Sequence, residues 1–250
     1  MDTNEKDLPP AVRVLNDNGA SPIVLVCEHA SAFIPLRYAG LGLSATDLKR
    51  HIAWDIGAAD VARRLAGLID APLVLAGYSR LLIDLNRPPG SMTSVPGISE
   101  TTVIPGNFNL TDEERRHRTD TYFTPFQQRL SALLDERQHE GRVSAVIGIH
   151  SFTPVYKGFA RPWHGGILFR YAKHLGMKLV AALGGEAANI AANEPYRIGD
   201  DSDYTVPVHG EARGLDCVLV EMRQDLIADG AGAELWAQRL GVALRESVMA

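Results

Sequence analysis

The chain has 250 residues, of which 46% are hydrophobic, and a formal net charge of −5. This composition supports a sizeable folded core and excludes a globally disordered chain. No block of Lys and Arg with interleaved aromatic residues occurs, which argues against nucleic acid as a partner. The apolar runs are far shorter than the roughly 20 residues needed to span a bilayer, so no membrane partner is expected.

The N-terminal segment and the cysteines bear on the cellular compartment. The segment MDTNEKDLPP is polar and acidic, which argues against a signal peptide. Cys27 and Cys217 lie in or at the end of apolar runs and are predicted to be reduced thiols in strands. No CxxC pattern is present, so a cysteine-rich zinc site is not expected. The resulting prediction is a cytoplasmic protein.

The start of the chain predicts a loose lead-in, a strand and two helices. Residues 1–20 are polar and carry turn-forming residues. Ile23–Cys27 is a continuous apolar run typical of a buried parallel strand. A short helix is expected after Ser44, whose hydroxyl can cap it. A longer helix fits residues 55–69, because their apolar side chains fall near one face.

The middle of the chain predicts two strands, a long loop and a long helix. Residues 72–76 and 81–85 have the pattern of strands separated by a turn. Residues 88–109 contain four prolines and three glycines, and long loops of this kind often carry function. A capping box opens a polar helix over residues 111–138, which Pro125 is expected to kink.

The last part of the chain continues an alternation of strands and helices. This alternation predicts an α/β three-layer sandwich with a central mixed, mostly parallel sheet. No repeat or linker divides the chain, so residues 1–250 are expected to form a single domain. The predicted strands are residues 144–149, 165–169 and 217–220, and the predicted helices are residues 171–183 and 233–248.

Two histidines follow apolar, strand-like runs. His29 comes after the run at 23–27, and His150 comes after the run at 144–149. Ligands of open α/β sheets bind beyond the carboxyl ends of the strands, so these side chains are expected to meet. Two histidines with one carboxylate leave a zinc coordination position open for water. His29 and His150 are therefore predicted to bind one divalent metal ion, with Zn2+ as the expected cofactor.

The third metal ligand is predicted to be Asp55, at the start of its helix. Glu28 is the alternative because it adjoins His29. Adjacent residues of a strand point to opposite faces, so Glu28 and His29 would diverge if the strand continued. A purely electrostatic role for Asp55 at the helix N-terminus is a further alternative.

Glu221 ends a very apolar run, where burial would disfavour its charge unless a cation lies near it. Such a glutamate is a candidate general base: it takes a proton from the attacking water and returns it to the leaving amine. The competing interpretation is an ion pair with Arg223 or another arginine. Two further histidines, His164 and His209, are expected to be structural or solvent-facing.

Asn86 and Arg87 close another apolar run and are predicted to bind a carboxylate of the substrate. A guanidinium matches a carboxylate with two parallel hydrogen bonds, and the amide can add a third. Arg80 is predicted to support either this carboxylate or the oxyanion formed during hydrolysis. A structural ion pair between Arg87 and Asp84 is the competing interpretation.

The segments that carry these residues resemble one known family. They read CEHASAFIP, HIAWDIGAADVARRLA, YSRLLIDLNRPP, IGIHSFTP, ANEPY and VLVEMRQDLI. Together they are similar to the N-formylglutamate amidohydrolases (N-formylglutamate deformylases) over about residues 22–227. This family is distantly similar to the zinc carboxypeptidases in fold.

The resemblance implies a mixed eight-stranded sheet flanked by helices, with a zinc-carboxypeptidase-like fold. Zinc carboxypeptidases carry a glutamate ligand three residues after their first zinc histidine. Ala32 stands at that position here, and Asp55 is the natural replacement. The other implied roles are metal ligands for His29 and His150, a substrate-carboxylate clamp for Asn86 and Arg87, and the general base for Glu221.

These observations predict a metal-dependent hydrolase of the amide bond of an N-formyl or N-acyl amino acid. The specific version converts N-formyl-L-glutamate to formate and glutamate. Two alternatives stay open: a non-catalytic protein that binds a carboxylate ligand, and a zinc peptidase that acts on C-terminal residues. The expected partner is a small-molecule N-acyl amino acid, and the sequence leaves the acyl group, the native metal and the oligomeric state open.

Overall fold

The computed structural model of the protein describes residues 8–142 and 145–249. Its helices are α1 (Ala58–Ile69), α2 (Asp112–Arg118), α3 (Thr124–His139), α4 (Lys173–Ala182) and α5 (Gly230–Leu244). Its strands are β1 (Val12–Leu15), β2 (Ile23–Cys27), β3 (Leu73–Ala76), β4 (Ile98–Ser99), β5 (Thr102–Val103), β6 (Ala145–Phe152), β7 (Val155–Tyr156), β8 (Phe159–Ala160), β9 (Gly165–Leu168), β10 (Ile190–Ala192) and β11 (Asp216–Arg223).

Seven strands form the central sheet of the described residues, in the order β1-β3-β2-β6-β11-β9-β10. The pairs β3–β2, β2–β6, β6–β11 and β9–β10 are parallel, whereas β1–β3 and β11–β9 are antiparallel. The predicted α/β fold with a mixed, mostly parallel sheet is confirmed. The described part of the sheet has one strand fewer than the eight that the resemblance implies. The remaining strands form two short hairpins, β4–β5 and β7–β8.

Helices cover both faces of this sheet. Ile23 and Leu25 of β2 pack into a core with α1, α4 and α5. Val24 and Val26 pack into a second core with α3 on the opposite face. Alternate residues of β2 therefore enter different cores, as expected of a strand that is buried on both sides. In the described ranges, no helix has both the length and the apolar character needed to cross a bilayer.

Residues 81–85, predicted as a strand, form a buried irregular turn instead. The Leu82 N–H donates to Ser79 O over 3.0 Å, and the Asp84 N–H donates to Ser94 O over 2.7 Å. The apolar side chains of this turn join the core on the α3 side of the sheet. The strand prediction is wrong here, because a short apolar run looks the same in a buried strand and in a buried turn.

The N-terminal segment also differs from the predicted loose lead-in. Val12–Leu15 forms the edge strand β1, which pairs antiparallel with β3. The backbone of this segment thus finds its hydrogen bonds in the sheet, although its side chains are only partly buried. Residues 1–7, and residue 144 at the predicted start of β6, lie outside the described residues.

The long helix predicted over residues 111–138 is divided. Thr111 caps α2 as predicted, because its hydroxyl accepts the Glu114 N–H over 3.1 Å. A π-helical turn, Thr119–Phe123, then separates α2 from α3. Pro125 lies in the first turn of α3, where it has no N–H to donate, and the wider turn accommodates the gap in the hydrogen-bond ladder.

The carboxyl ends of β2, β6 and β11 meet at one edge of the sheet. β6 and β11 are parallel, and Glu221 lies directly opposite His150 in their register. Both strands continue three residues beyond their predicted ends, so both side chains belong to regular strands. Since neighbours in register share a face, the structure places the imidazole and the carboxylate side by side.

Candidate active site

A cavity of about 330 Å³ lies at this edge of the sheet. Its walls include every residue for which the sequence predicted a metal, substrate or catalytic role, and the tertiary structure brings together segments from most of the chain. Their proximity by itself does not establish the role predicted for each residue. The seven residues are His29, Asp55, Arg80, Asn86, Arg87, His150 and Glu221.

Asp55 lies between the two histidines. Its Oδ2 atom is 3.3 Å from Nδ1 of His29 and 3.0 Å from Nδ1 of His150. One potential ligand atom from each of the three residues lies within 4.8 Å of the others. The Asp55 N–H donates to the His29 carbonyl over 3.0 Å, which ties the start of α1 to the end of β2.

The outer nitrogen of each imidazole faces a different carboxylate. Nε2 of His29 lies 2.8 Å from Oδ1 of Asp84. Nε2 of His150 lies 3.1 Å from Oε2 of Glu28, an ion-pair contact without full hydrogen-bond alignment. Glu28 therefore lies on the outer side of the His150 ring, away from Asp55. Of the two carboxylates that the sequence offered as a third ligand, Asp55 is the one that faces both Nδ1 atoms.

Electrostatics favour positive charge at these rings. For His150, burial opposes protonation, but attraction to Glu28 and a hydrogen bond to Asp55 raise its pKa well above the ordinary value. For His29, burial and the charge of Arg80 lower the pKa. The negative charges of Asp84 and Asp55 outweigh them, so the pKa of His29 is raised. The pKa of Asp55 is lowered although burial opposes its ionisation, chiefly because of His29.

The donor set fits a divalent cation. When a cation displaces the Nδ1 proton of such an imidazole, the Nε2 proton stays directed at its carboxylate and Nδ1 offers the lone pair that a metal needs. Both Nδ1 atoms here face the same carboxylate oxygen of Asp55. Two nitrogens and one oxygen are a ligand set that zinc commonly takes in catalytic sites. His29, Asp55 and His150 could therefore hold a metal.

Glu221 is a buried carboxylate that forms no ion pair with any of the described residues. Only 6% of its surface is exposed, and its Oε2 has no hydrogen-bond partner among the described residues. Burial is the main reason that its pKa rises to about 7. The competing ion pair with Arg223 does not form, because Arg223 pairs with Asp225 over 2.8 Å. A carboxyl group of this kind can exchange a proton near neutral pH.

Arg80 ties two carboxylates of the site together. Its Nη1 donates to Oδ1 of Asp55 over 3.2 Å, and its Nη2 donates to Oδ2 of Asp84 over 2.6 Å. The guanidinium therefore supports both the carboxylate between the histidines and the carboxylate behind His29. Arg80 also lines the cavity, so its remaining donors are close to any bound substrate.

Asn86 is largely committed to contacts within the protein. Its Oδ1 accepts the N–H groups of Tyr204 and Thr205 over 3.0 and 2.9 Å. Its Nδ2 donates to Oδ1 of Asp203 over 3.3 Å, so only the second amide hydrogen is left for a ligand. Arg87 is more accessible, and its Nη1 lies 3.7 Å from Asp203. The competing interpretation, an ion pair between Arg87 and Asp84, does not form among the described residues, and the carboxylate within ion-pair distance of Arg87 is that of Asp203.

A family model for N-formylglutamate amidohydrolase matches residues 21–228. The chain belongs to this family. The resemblance seen in the sequence is confirmed, and the protein is an amidohydrolase.

Several solved structures are similar to this chain. A gene product from Agrobacterium tumefaciens is 40% identical, covers 100% of this chain and 98% of that chain, and has a TM-score of 0.94. The N-formylglutamate amidohydrolase from Ralstonia eutropha is 18% identical, covers 94% of this chain and 96% of that chain, and has a TM-score of 0.67, which supports the common fold. A metallo-carboxypeptidase from Burkholderia cenocepacia is 11% identical, covers 95% of this chain and 60% of that chain, and has a TM-score of 0.43. A comparison with curated proteins gives no significant match.

Sequence reasoning assigned no role to Thr205 or Tyr196. The Thr205 hydroxyl donates a hydrogen bond to Glu28. The two residues are 177 positions apart, so no local sequence pattern could predict this contact. Tyr196 lines the cavity and accepts a hydrogen bond from Arg161 over 2.9 Å. Burial, followed by the charge of Glu221, raises the pKa of Tyr196 to about 12, so its hydroxyl stays a neutral donor. The sequence signal that could have identified Tyr196 is its position in the ANEPY segment, which contributes to the family resemblance.

Proposed function

We propose that the protein hydrolyses N-formyl-L-glutamate to formate and glutamate in a reaction that depends on one divalent metal ion, with Zn2+ as the native metal. The proposal rests on one observation: a buried carboxylate, Glu221, shares a cavity with the His29–Asp55–His150 cluster. Membership in the N-formylglutamate amidohydrolase family supports the choice of bond and substrate.

The cluster and Glu221 have complementary tasks in this proposal. A divalent cation held by His29, Asp55 and His150 would polarise the amide carbonyl and lower the pKa of a water towards about 7. Glu221 takes the proton of the attacking water, since burial has already raised the proton affinity of its carboxylate. The same carboxyl group then returns the proton to the departing amine, which leaves as the amino group of glutamate.

Arg87 is the group proposed to hold a carboxylate of the substrate. Its guanidinium lines the cavity and is within 3.7 Å of one acidic side chain, Asp203, so it retains donors for an anion. Asn86 can add one hydrogen bond through its second amide hydrogen. Arg80 can donate to the oxyanion with the N–H groups that Asp55 and Asp84 do not use. Anchoring the substrate in this way orients the amide towards Glu221.

The alternatives considered from the sequence make different demands on the site. A protein that only binds a carboxylate has no need for a buried, unpaired Glu221 beside the histidine cluster, since such a group is costly to maintain. A peptidase needs space for the rest of a peptide chain, whereas a cavity of about 330 Å³ is at the small end for ligand sites. Both features support a small N-acyl amino acid as the substrate. The cytoplasmic location remains a prediction, which the two unpaired, buried cysteines support.

A turnover screen tests the proposal. Metal-loaded protein is incubated with N-formyl, N-acetyl and N-carbamoyl forms of glutamate, aspartate and glutamine, and release of the free amine is measured. The expected result is fastest turnover of N-formyl-L-glutamate, with about one equivalent of zinc per chain by elemental analysis. Turnover that is unaffected by complete metal removal would refute the metal-dependent reaction, and a clear preference for another acyl group would refute the substrate.

A further inference from the structure

The turn that carries Asp84 and Asn86 is attached directly to the first histidine. Oδ1 of Asp84 lies 2.8 Å from Nε2 of His29, and the same oxygen accepts the backbone N–H of Asn86 over 2.9 Å. The Asn86 side chain then extends away from His29 towards the segment at residues 203–205. The position of Asn86 is therefore coupled to the position of one imidazole.

A chain of contacts links Asn86 to the second histidine. Oδ1 of Asn86 accepts the N–H of Thr205 over 2.9 Å and holds the backbone of that residue. The Thr205 hydroxyl donates to Oε1 of Glu28. The other oxygen of this carboxylate, Oε2, is 3.1 Å from Nε2 of His150. The path ends on Nε2 of His150, the ring nitrogen that faces away from Asp55.

The residues of this path are buried, so water cannot readily substitute for a hydrogen bond that is lost from it. Thr205 and Glu28 have no exposed surface, and Asn86 and His150 are each 3% exposed. A buried carboxylate needs hydrogen bonds to remain ionised in a fixed orientation, and Thr205 supplies one at Oε1. If that hydroxyl is lost, the Glu28 carboxylate keeps its attraction to His150 but loses the contact that fixes its rotation.

We propose that Asn86 and Thr205 are positioning residues for the metal ligand His150 and act on it through Glu28. By fixing the Glu28 carboxylate, they keep the proton of His150 on Nε2 and direct Nδ1 towards Asp55. This inference rests on the proposed metal-dependent function. It gives Asn86 a task other than the substrate-carboxylate clamp predicted from the sequence, and it gives Thr205 a task for the first time.

Thr205→Val is the decisive variant, because it removes the hydroxyl and nearly conserves the side-chain volume. The affinity for Zn2+ is measured by competition with a chromophoric chelator. We expect the Kd for Zn2+ to rise about 10-fold, the lower end of the usual effect of removing a partner that orients a metal ligand, because Thr205 acts on His150 through Glu28. Thr205→Ser keeps the hydroxyl and is expected to bind Zn2+ close to the wild-type level.

Thr153→Val is the matched control. Thr153 is also a buried threonine, 7% exposed, but its hydroxyl donates to the Val155 carbonyl over 2.9 Å rather than to Glu28. A general loss of packing or of a buried hydroxyl would affect both variants, whereas the proposed path involves only Thr205. We therefore expect Thr153→Val to keep the wild-type affinity for Zn2+. Circular dichroism and thermal denaturation verify that each variant is folded.

Asn86→Ala distinguishes the two roles of Asn86. A positioning residue predicts weaker Zn2+ binding in the absence of any substrate. A residue that only clamps the substrate predicts an unchanged Kd for Zn2+ and a higher KM for N-formyl-L-glutamate, and that result would remove Asn86 from the proposal. If Asn86→Ala does not fold, the Val and Ser variants of Thr205 still decide the inference.

Binding data also separate this inference from the proposed reaction. Wild-type affinity for Zn2+ in folded Thr205→Val, with an unchanged visible spectrum after Co2+ loading, would overturn the positioning role. A wild-type protein that binds Zn2+ but does not hydrolyse N-formyl-L-glutamate would refute the proposed reaction alone, because the Kd comparison does not use turnover. A wild-type protein that binds neither Zn2+ nor Co2+ would overturn both.

Discussion

Replacing Glu221 with glutamine tests the proposed general base with a small structural change. Glutamine has nearly the same shape and leaves the packing around this buried position intact. It removes the ability to accept a proton, and it also removes a negative charge beside His150. We expect the variant to fold and to bind metal nearly as well as the wild-type protein, while its turnover falls steeply.

The structure sets the size of the expected loss. Burial raises the pKa of Glu221 to about 7, so its carboxylate is well matched to proton transfer from water near neutral pH. General acid–base assistance of this kind contributes a factor of roughly 10² to 10⁴, and each factor of ten corresponds to about 1.4 kcal/mol in the barrier. The expected loss is therefore about 3 to 5 kcal/mol of transition-state stabilisation.

The pH profile provides a second signature. A protonated carboxyl group cannot act as a base, so wild-type turnover should fall as the pH drops through the pKa of Glu221. That midpoint should lie at or below about 7 in the metal-loaded protein, since a nearby cation favours the ionised carboxylate. Glu221→Gln should lack this acidic limb, because the titrating group is gone.

The assay is release of glutamate from N-formyl-L-glutamate, with wild-type and variant proteins brought to the same zinc content. Glu100→Gln is a suitable control, because it neutralises another carboxylate that lines the same cavity and pairs with Arg50 over 3.0 Å. The control should keep most of its turnover. If Glu221→Gln retains more than about a tenth of wild-type turnover, the general-base assignment is wrong.

Three further predictions address the metal, the substrate and stability. Removal of the metal with a chelator should abolish turnover, and added Zn2+ should restore it in a colorimetric amine assay. Arg87→Ala should raise the KM for N-formyl-L-glutamate by about 10- to 100-fold with a smaller change in kcat, because a charged hydrogen bond contributes roughly 1.5–3 kcal/mol to binding; an unchanged KM would contradict the clamp. Burial and then Arg213 lower the pKa of His209 to about 4, so the unfolded chain binds an extra proton between about pH 6.5 and 4. Urea denaturation should show that lowering the pH through this window costs the wild-type protein up to about 3 kcal/mol more than His209→Gln, and equal losses would contradict it.

The comparison of sequence and structure shows which local signals are dependable. The Ile23–Cys27 strand and the Thr111 cap of α2 were predictable because each depends on neighbours in the chain. Residues 81–85 were not, since their apolar side chains satisfy the same burial in an irregular turn as they would in a strand. That turn is the element that carries Asp84 and Asn86, and its geometry could not be derived from hydrophobic pattern alone.

In the candidate site, the sequence identified residues that meet, but it did not show how their side chains are arranged. Strand-end placement was enough to select His29 and His150 as a pair, because parallel strands bring their carboxyl ends to one edge. The position of Asp55 between the imidazoles, with Glu28 behind them, depends on side-chain directions across three segments of the chain. The long contact from Thr205 to Glu28 had no local signature at all.

The amino-acid sequence by itself determined the alternating α/β pattern, the buried strands and the set of polar residues that meet at one sheet edge. These follow from hydrophobic periodicity and chain direction, which are local properties. Only the tertiary structure decided that Asp55 lies between the imidazoles and that Asn86 holds the 203–205 backbone. Hydrogen bonds between residues far apart in the chain depend on the relative placement of whole elements, which no single segment encodes.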